Sequence, residues 1–187
     1  MKLKTCFFVN ALMILAATSL HAVIMRPLTI QELSTNADLV IQGIVTNKTC
    51  LRTEEGRIYT RVDLQVTDVI KGRGVSNVLS VVHGGGSIGN DLQEVEAQVD
   101  YKLGEEVVAF LVLNQRNQPV TIGLCQGKFD VWEDKLTGGK FVCNPAHGSP
   151  PPEFNTPATT RQSLSLRQSP ALLKLNDLKA QIQKATR

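Results

Sequence analysis

From Thr60 to Ile70 the apolar side chains Val62, Leu64 and Val66 alternate with Arg61, Asp63, Gln65 and Thr67, the pattern of a long strand with one wet face. Before it, Asp38 to Thr46 carries Leu-Val-Ile-Gln-Gly-Ile-Val. This run is rich in β-branched residues and too short for an independent helix, so it reads as a buried strand with Gly43 placed for a bulge. Glu54-Glu55-Gly56 supplies the turn between them, which predicts a hairpin. Lys71-Gly-Arg-Gly74 interrupts the pattern, and Val78 to Val82 resumes it as a third strand. Glu105 to Leu113 and Val120 to Leu124 read as further strands, separated by the polar turn Asn114-Gln-Arg-Asn-Gln-Pro119. Lys128 to Glu133 and Lys140 to Asn144 flank Leu136-Thr-Gly-Gly139 as a last hairpin.

Two helices are expected. Thr29 and Glu32 stand at the spacing of a capping box, which predicts a short helix over 29–34. At the other end Ser169 can cap and Pro170 suits a first helical position. Leu172, Leu175, Leu178 and Ile182 then recur at spacings of three and four, giving an amphipathic helix to about residue 184. That helix either docks on the strands or, since Lys174, Lys179, Lys184 and Arg187 make its other side basic, seeks a partner or a surface. Between the strands and this helix, 145–169 is rich in Pro, Ser, Thr and Gly, with Pro150-Pro-Pro152 inside it, and reads as an exposed linker. Six or seven short strands with so little helix predict a mostly β fold, a closed barrel or a sandwich.

The first 22 residues change the picture. Lys2 and Lys4 precede the apolar run Cys6 to Ala17, too short to span a bilayer, so 1–22 reads as a signal peptide cut near Ser19 or Ala22. The mature chain would be periplasmic or secreted, with no transmembrane anchor after processing. Its domains would be the barrel over 23–144, the linker over 145–169 and the helix over 170–187. Of 20 basic and 17 acidic side chains, Lys2 and Lys4 leave with the leader. The remaining near-neutral balance gives nucleic acid no basic field to bind.

Cys50, Cys125 and Cys143 remain in a compartment that permits disulfides, and the count predicts one bridge and one spare thiol, the pairing open. No spacing suits zinc, and no cofactor is implied. The segment His83, Gly84, Gly85, Gly86 and Ser87 is the least ordinary in the chain. It contains an oxyanion-loop signature, His83-Gly-Gly-Gly86, and overlaps a nucleophile-elbow signature, Gly85-Gly-Ser-Ile-Gly89. The two overlap, whereas a hydrolase needs them on separate loops, and the only other mature histidine is His147. The glycines therefore read as backbone freedom in an irregular loop at the barrel rim, a candidate binding loop. Asp91, Glu94, Glu96 and Asp100 match no EF-hand spacing and read as solvated charge. Trp132, the single tryptophan, reads as a packing anchor, and Asn47-Lys-Thr49 fits a glycosylation acceptor.

Asn36-Ala-Asp-Leu-Val-Ile-Gln-Gly-Ile-Val45, the long strand ending Ile70-Lys-Gly72, Val120-Thr-Ile-Gly-Leu-Cys125 and Trp132 together resemble the netrin-like domain of tissue inhibitors of metalloproteinases. They also resemble exported bacterial proteins built on the same layout. The resemblance runs from about Leu28 to Trp132 and implies an OB-like five-stranded barrel. Those inhibitors act through an N-terminal cysteine. Here the mature start would be Leu20 or Val23, Thr35 stands where the family has a disulfide cysteine, and Cys125 alone matches a family cysteine. The resemblance thus implies the fold and not the inhibitory mechanism. The function expected is a noncatalytic binding module for another extracytoplasmic protein, a peptidase among the conceivable partners. The competing classes are a serine-type hydrolase using the Gly-rich loop and a structural cell-envelope component.

Overall fold

The computed structural model describes residues 26–150 and 171–186. The expected signal peptide with both its expected cleavage points, most of the expected linker, Ser169, Pro170 and Arg187 lie outside the described residues.

Thr29 caps helix α1 (Ile30–Asn36) as the capping box requires. Its hydroxyl accepts from the Glu32 amide at 3.1 Å, and the Glu32 carboxylate accepts from the Thr29 amide at 2.8 Å. That amide bond, with Arg26 at 2.7 Å, draws the Glu32 carboxyl down to about 2. Strands β1 (Leu39–Arg52) and β2 (Ile58–Lys71) follow as an antiparallel hairpin, turned at Gly56 with φ +85°. One of the register shifts that bend β1 falls between Gln42 and Gly43. A Cβ on Gly43 would lie 2.8 Å from the Gln65 carbonyl oxygen, so only glycine lets β2 come so close. Along β2, Ile58, Thr60, Val62 and Leu64 are buried and Arg61 and Gln65 exposed, the alternation read from sequence.

Strand β3 (Val78–Gly84) pairs with β2, and β4 (Gly86–Ile88) and β5 (Asp91–Gln93) form a separate ribbon. Strand β6 (Glu106–Leu113) lies between β1 and β8 (Lys128–Glu133), and the short β7 (Pro119–Thr121) pairs with β6 alone. A 3-10 helix, Leu124–Gly127, joins β7 to β8, where the sequence suggested a strand continuing to Leu124. Strands β9 (Lys140–Cys143) and β10 (Leu173–Lys174) complete the sheet order β10-β9-β8-β6-β1-β2-β3, and helix α2 (Leu175–Ala185) closes the chain.

The fold is mostly β, with a short N-terminal and a C-terminal helix, and β6 carries two cores. Val107, Ala109 and Leu111 point into one with Ile41, Val45, Val62, Leu64, Val81, Val99 and Tyr101. Val108 and Phe110 point into the other, with Leu33, Val40, Phe129, Val142, Leu175, Leu178 and Ile182. A strand buried on both sides reads as an unbroken apolar run, as Val107 to Leu113 does.

Four expectations need correction. The OB-like five-stranded barrel that the resemblance implies is not formed among the described residues, where β1, β2, β3, β6 and β7 belong to an open sheet. β3 and β7 approach each other, but no ladder joins them. Strand β7 has three residues and begins with Pro119, which has no N–H to give. The glycine segment is not an irregular loop from His83 onward, because β3 runs through His83 and the ribbon follows. The linker does not begin at 145. Asn144 Oδ1 accepts from the amides of Ala146 and His147, and the His147 ring lies 5.9 Å from that of Phe129. Finally, α2 starts at Leu175, after a bridge to β9. It docks: Leu178 and Ile182 are fully buried, Lys179 reaches Asp68 at 2.8 Å, and Leu172 lies off the helix, exposed. No helix among the described residues is long and apolar enough to cross a membrane.

The Lys71 ammonium donates to the carbonyls of Ser34, Thr35 and Ala37 at 2.8, 3.3 and 2.5 Å, closing the C-terminal end of α1. Lys71→Met is expected to cost about 1–3 kcal/mol in urea unfolding, because it removes charge-assisted bonds while keeping the apolar stem.

Candidate binding cleft beside His83

Strand β3 ends on His83 and Gly84, and the chain then turns through Gly85 (φ +77°) and Gly86 (φ +138°) into the ribbon. The glycines are needed for approach as well as for φ. A Cβ on Gly86 would fall 2.6 Å from Thr60 Oγ1 and 2.7 Å from Cys50 Sγ, while the Thr60 hydroxyl donates to the Gly85 carbonyl at 2.7 Å. The turn is thus pressed flat onto the β1–β2 hairpin. Ser87 is exposed on β4, paired with Leu92, and is followed by β5 instead of a helix. The strand-to-helix geometry of a nucleophile elbow is not found around it.

The His83 ring stacks on Tyr101, 6.5 Å between centroids and 23° between planes. Its Nδ1 is 2.9 Å from the Gly84 carbonyl oxygen, and its Nε2 is buried without a hydrogen-bond partner among the described residues. His147 is not nearby in this arrangement, since its Nε2 donates to the Leu28 carbonyl at 2.7 Å. Burial holds the His83 imidazole below its ordinary range. The folded protein therefore takes up this proton less readily than the unfolded chain. The corresponding stability is complete above the unfolded value of about 6.5 and is lost as pH falls below it. Urea unfolding at about pH 7.5 and about pH 5 is expected to show that loss, and His83→Gln to reduce it; an unchanged difference in the variant would exclude His83 as its source.

Two clefts flank His83. The first, about 400 Å³, is lined by Thr53 after β1, Tyr59 on β2, Val82, His83 and Gly84 on β3, Asn114 to Arg116 with Gln118, and Val120 on β7. No carboxylate lines it. The Asn114–Gln118 loop is held by its own first residue, whose Oδ1 accepts from the amides of Arg116 and Gln118, both at 2.9 Å, with Asn117 left-handed at φ +56°. Gln115 and Arg116 are exposed at its tip, and the Arg116 charge acts on the Glu55 carboxyl, which the Thr53 hydroxyl first of all holds below its ordinary range. The second cleft, about 440 Å³, lies under the ribbon and is acidic, with Glu94, Glu96 and Asp100 beside Lys48. The acidic stretch is spread out: Asp91 pairs with Arg52 at 2.5 Å and Asp100 with Lys48 at 3.1 Å. Among the described residues, no group of three or more His, Cys, Asp or Glu is arranged to hold a metal.

Of the residues singled out from sequence, the structure brings His83 and Gly84 into both clefts, Gly85 and Gly86 into the acidic one, and Ser87 into neither. The sequence pattern marks Val120 only as a strand position and Asn114 to Gln118 only as part of a turn, and it does not single out Tyr59. Their shared site arises from pairing β6 with β7 and β2 with β3, which local pattern does not encode.

Cys50, Cys125 and Cys143 are free thiols, so the one bridge expected from the count does not form among them. They belong to β1, the 3-10 helix and β9. Hydrogen bonding with the Thr60 side chain and then with the Ser87 backbone draws the Cys50 thiol below its usual range, whereas burial pushes Cys143 up. Iodoacetamide labelling followed by peptide mass spectrometry is expected to modify Cys50 well before Cys143. Equal rates would contradict the placement of Cys50. Trp132 stacks on Phe141 at 4.9 Å across the β8–β9 pair, as a hairpin anchor should.

No protein-family model matches the chain, and no curated protein matches it.

Proposed function

We propose that the protein is an exported, noncatalytic binding module whose first cleft receives part of another extracytoplasmic protein. The observation that carries this reading is where the cleft lies. OB-type barrels take their ligands on the outer face of strands 2 and 3, between the loop joining strands 1 and 2 and the loop joining strands 4 and 5. Here the cleft spans Tyr59 on β2 and Val82 on β3, between Thr53 in the β1–β2 connection and Asn114–Gln118 in the β6–β7 connection. Export rests on the charged and apolar leader, and the netrin-like resemblance favours a protein partner over a small substrate. The near-neutral mature chain lacks the basic field that nucleic acid would need.

The test is capture from the host's own extracytoplasmic fraction with the wild-type chain and with a Tyr59→Ser/Arg116→Glu variant shown to be folded. A protein retained by the first and lost by the second is expected. Capture of nothing, or of the same proteins by both, would overturn the proposal.

A further inference from the structure

Among the described residues, the two clefts share only His83 and Gly84 in their linings. Glycine has no side chain, so the His83 imidazole is the side chain that divides one cleft from the other. Its stacking on Tyr101 holds the ring in that place. The Gly84 carbonyl can only accept, which puts the proton of the neutral ring on Nδ1 and leaves Nε2 bare. A second proton would have to sit on Nε2, which is buried with no acceptor beside it among the described residues.

The charges around the ring oppose that proton in its stacked position. Two ammonium groups already converge on the segment beneath it. Lys48 donates to the Asp100 carboxylate at 3.1 Å and the Tyr101 carbonyl at 3.2 Å, and Lys128 donates to the Asp100 carbonyl at 2.5 Å and lies 5.3 Å from the centre of the Tyr101 ring. Their counter-charges are spoken for, Asp100 by Lys48, and Glu105 and Asp130 by Lys128. On the side of the first cleft the charged group is Arg116, which acts on Glu55, and no carboxylate lines that cleft. The second cleft differs. Glu94 and Glu96 line it with His83, and neither makes an ion pair among the described residues.

We propose that His83 is a pH-operated partition: the neutral ring, stacked on Tyr101, walls off the first cleft, and the protonated ring swings toward Glu94 and Glu96 and joins the two clefts. This rests on the binding-module reading and names the regulation of that site, because a partner segment seated against the neutral ring loses that wall in acid. A buried histidine whose charged form has its acceptors elsewhere is the kind of two-position element that responds between about pH 5 and 8.

The test is a nuclear magnetic resonance titration of the mature chain between about pH 7.5 and about pH 5, a range that spans the ordinary histidine value. Overhauser contacts between the His83 and Tyr101 rings are expected at the upper end and should vanish as the imidazole protonates. The amides of Val82, Gln98 and Asp100 should shift with the same midpoint, while those of Leu178 and Ile182, in the other core, stay in place. His83→Gln should abolish the shifts, and Glu94→Gln/Glu96→Gln should lower the midpoint by about half a pH unit, the size of an exposed ion pair. Ring contacts that persist after protonation overturn the proposal, and this readout needs no variant. Amide shifts that survive His83→Gln, or a midpoint that the double glutamine variant leaves unmoved, also overturn it. Movement of the Leu178 and Ile182 amides at the same midpoint would make the change general unfolding and overturn it too. The titration needs no partner, so it can fail while the capture experiment succeeds, and the reverse.

Discussion

Phe110→Ala is expected to cost about 3–5 kcal/mol, the usual range for emptying a fully buried phenylalanine site. The ring is 0% exposed on the central strand β6 and lies 5.6 Å from that of Phe129 at an interplanar angle of 46°. It forms the floor on which Leu175, Leu178 and Ile182 rest. Helix α2 has 11 residues and its N-cap Lys174 makes no side-chain capping bond, so it is too short to persist without that floor. The cavity should therefore act in two ways. Urea unfolding should show the global loss, and hydrogen exchange should show α2 losing protection further than β2, whose core lies on the other side of the sheet. Phe129→Ala should be strongly non-additive with it, since the two rings share one packing site. Leu136→Ala, at a position 94% exposed, should change stability by no more than about 0.5 kcal/mol. A loss at Phe110 as small as that at Leu136 would mean that the helix-side layer is not a core.

The same layer explains which parts of the fold were legible in the sequence. The capping box at Thr29 and Glu32, the alternation along β2, the run of β6 and the bulge at Gly43 are local signals, and each element stands within a few residues of where the pattern placed it. The errors lie where tertiary contact decides. Strands β4, β5 and β10 have three, three and two residues, too few for any period to show. Leu172 fits the helical spacing of Leu175 and Leu178 but precedes β10, because pairing with Val142 keeps Leu173 extended. Residues 145–150 have a linker's composition, yet Asn144 donates to the Gln126 carbonyl at 2.6 Å and holds the segment on the 3-10 helix. The sheet stays open between β3 and β7, where Pro119 has no N–H to give to a ladder.

The candidate cleft was half legible. His83 and the glycines stood out because their composition is unusual. Tyr59, Thr53 and the Asn114–Gln118 loop are ordinary in sequence and become a site only when β2, β3 and β7 are brought together. Gly86 packs closely against Cys50 and Thr60, and the last member of the segment, Ser87, lines neither cleft. A compositional oddity marked the neighbourhood of the site, while the polar groups that give the cleft its chemistry came from a loop read as a turn.

Lys128→Met is expected to give the second large loss, about 3 kcal/mol, at the lower end of the range for breaking a buried ion pair. The Lys128 side chain is only 8% exposed, beside the core that holds Tyr101, 2.5 Å from Glu105 and 2.8 Å from Asp130. Its ammonium also donates to the Asp100 carbonyl at 2.5 Å and sits 5.3 Å from the centre of the Tyr101 ring. Methionine keeps most of the apolar stem and removes the charge. Asp130, 56% exposed, returns to water at little cost, but Glu105, 19% exposed, keeps only the Lys102 amide at 2.8 Å, and the Asp100 carbonyl loses its donor. The penalty therefore belongs to what is left behind, and Lys128→Met/Glu105→Gln should recover a large part of it. Lys140→Met supplies the contrast. Lys140 is 38% exposed and pairs with Glu106 at 2.7 Å, but Glu106 keeps the Gln42 side-chain amide and no backbone carbonyl loses a donor, so the loss should stay below about 1 kcal/mol. Equal effects at the two lysines would show that water reaches Lys128. A large loss that Glu105→Gln does not relieve would place the penalty at the Asp100 carbonyl, and so in the segment that carries Tyr101 beneath His83.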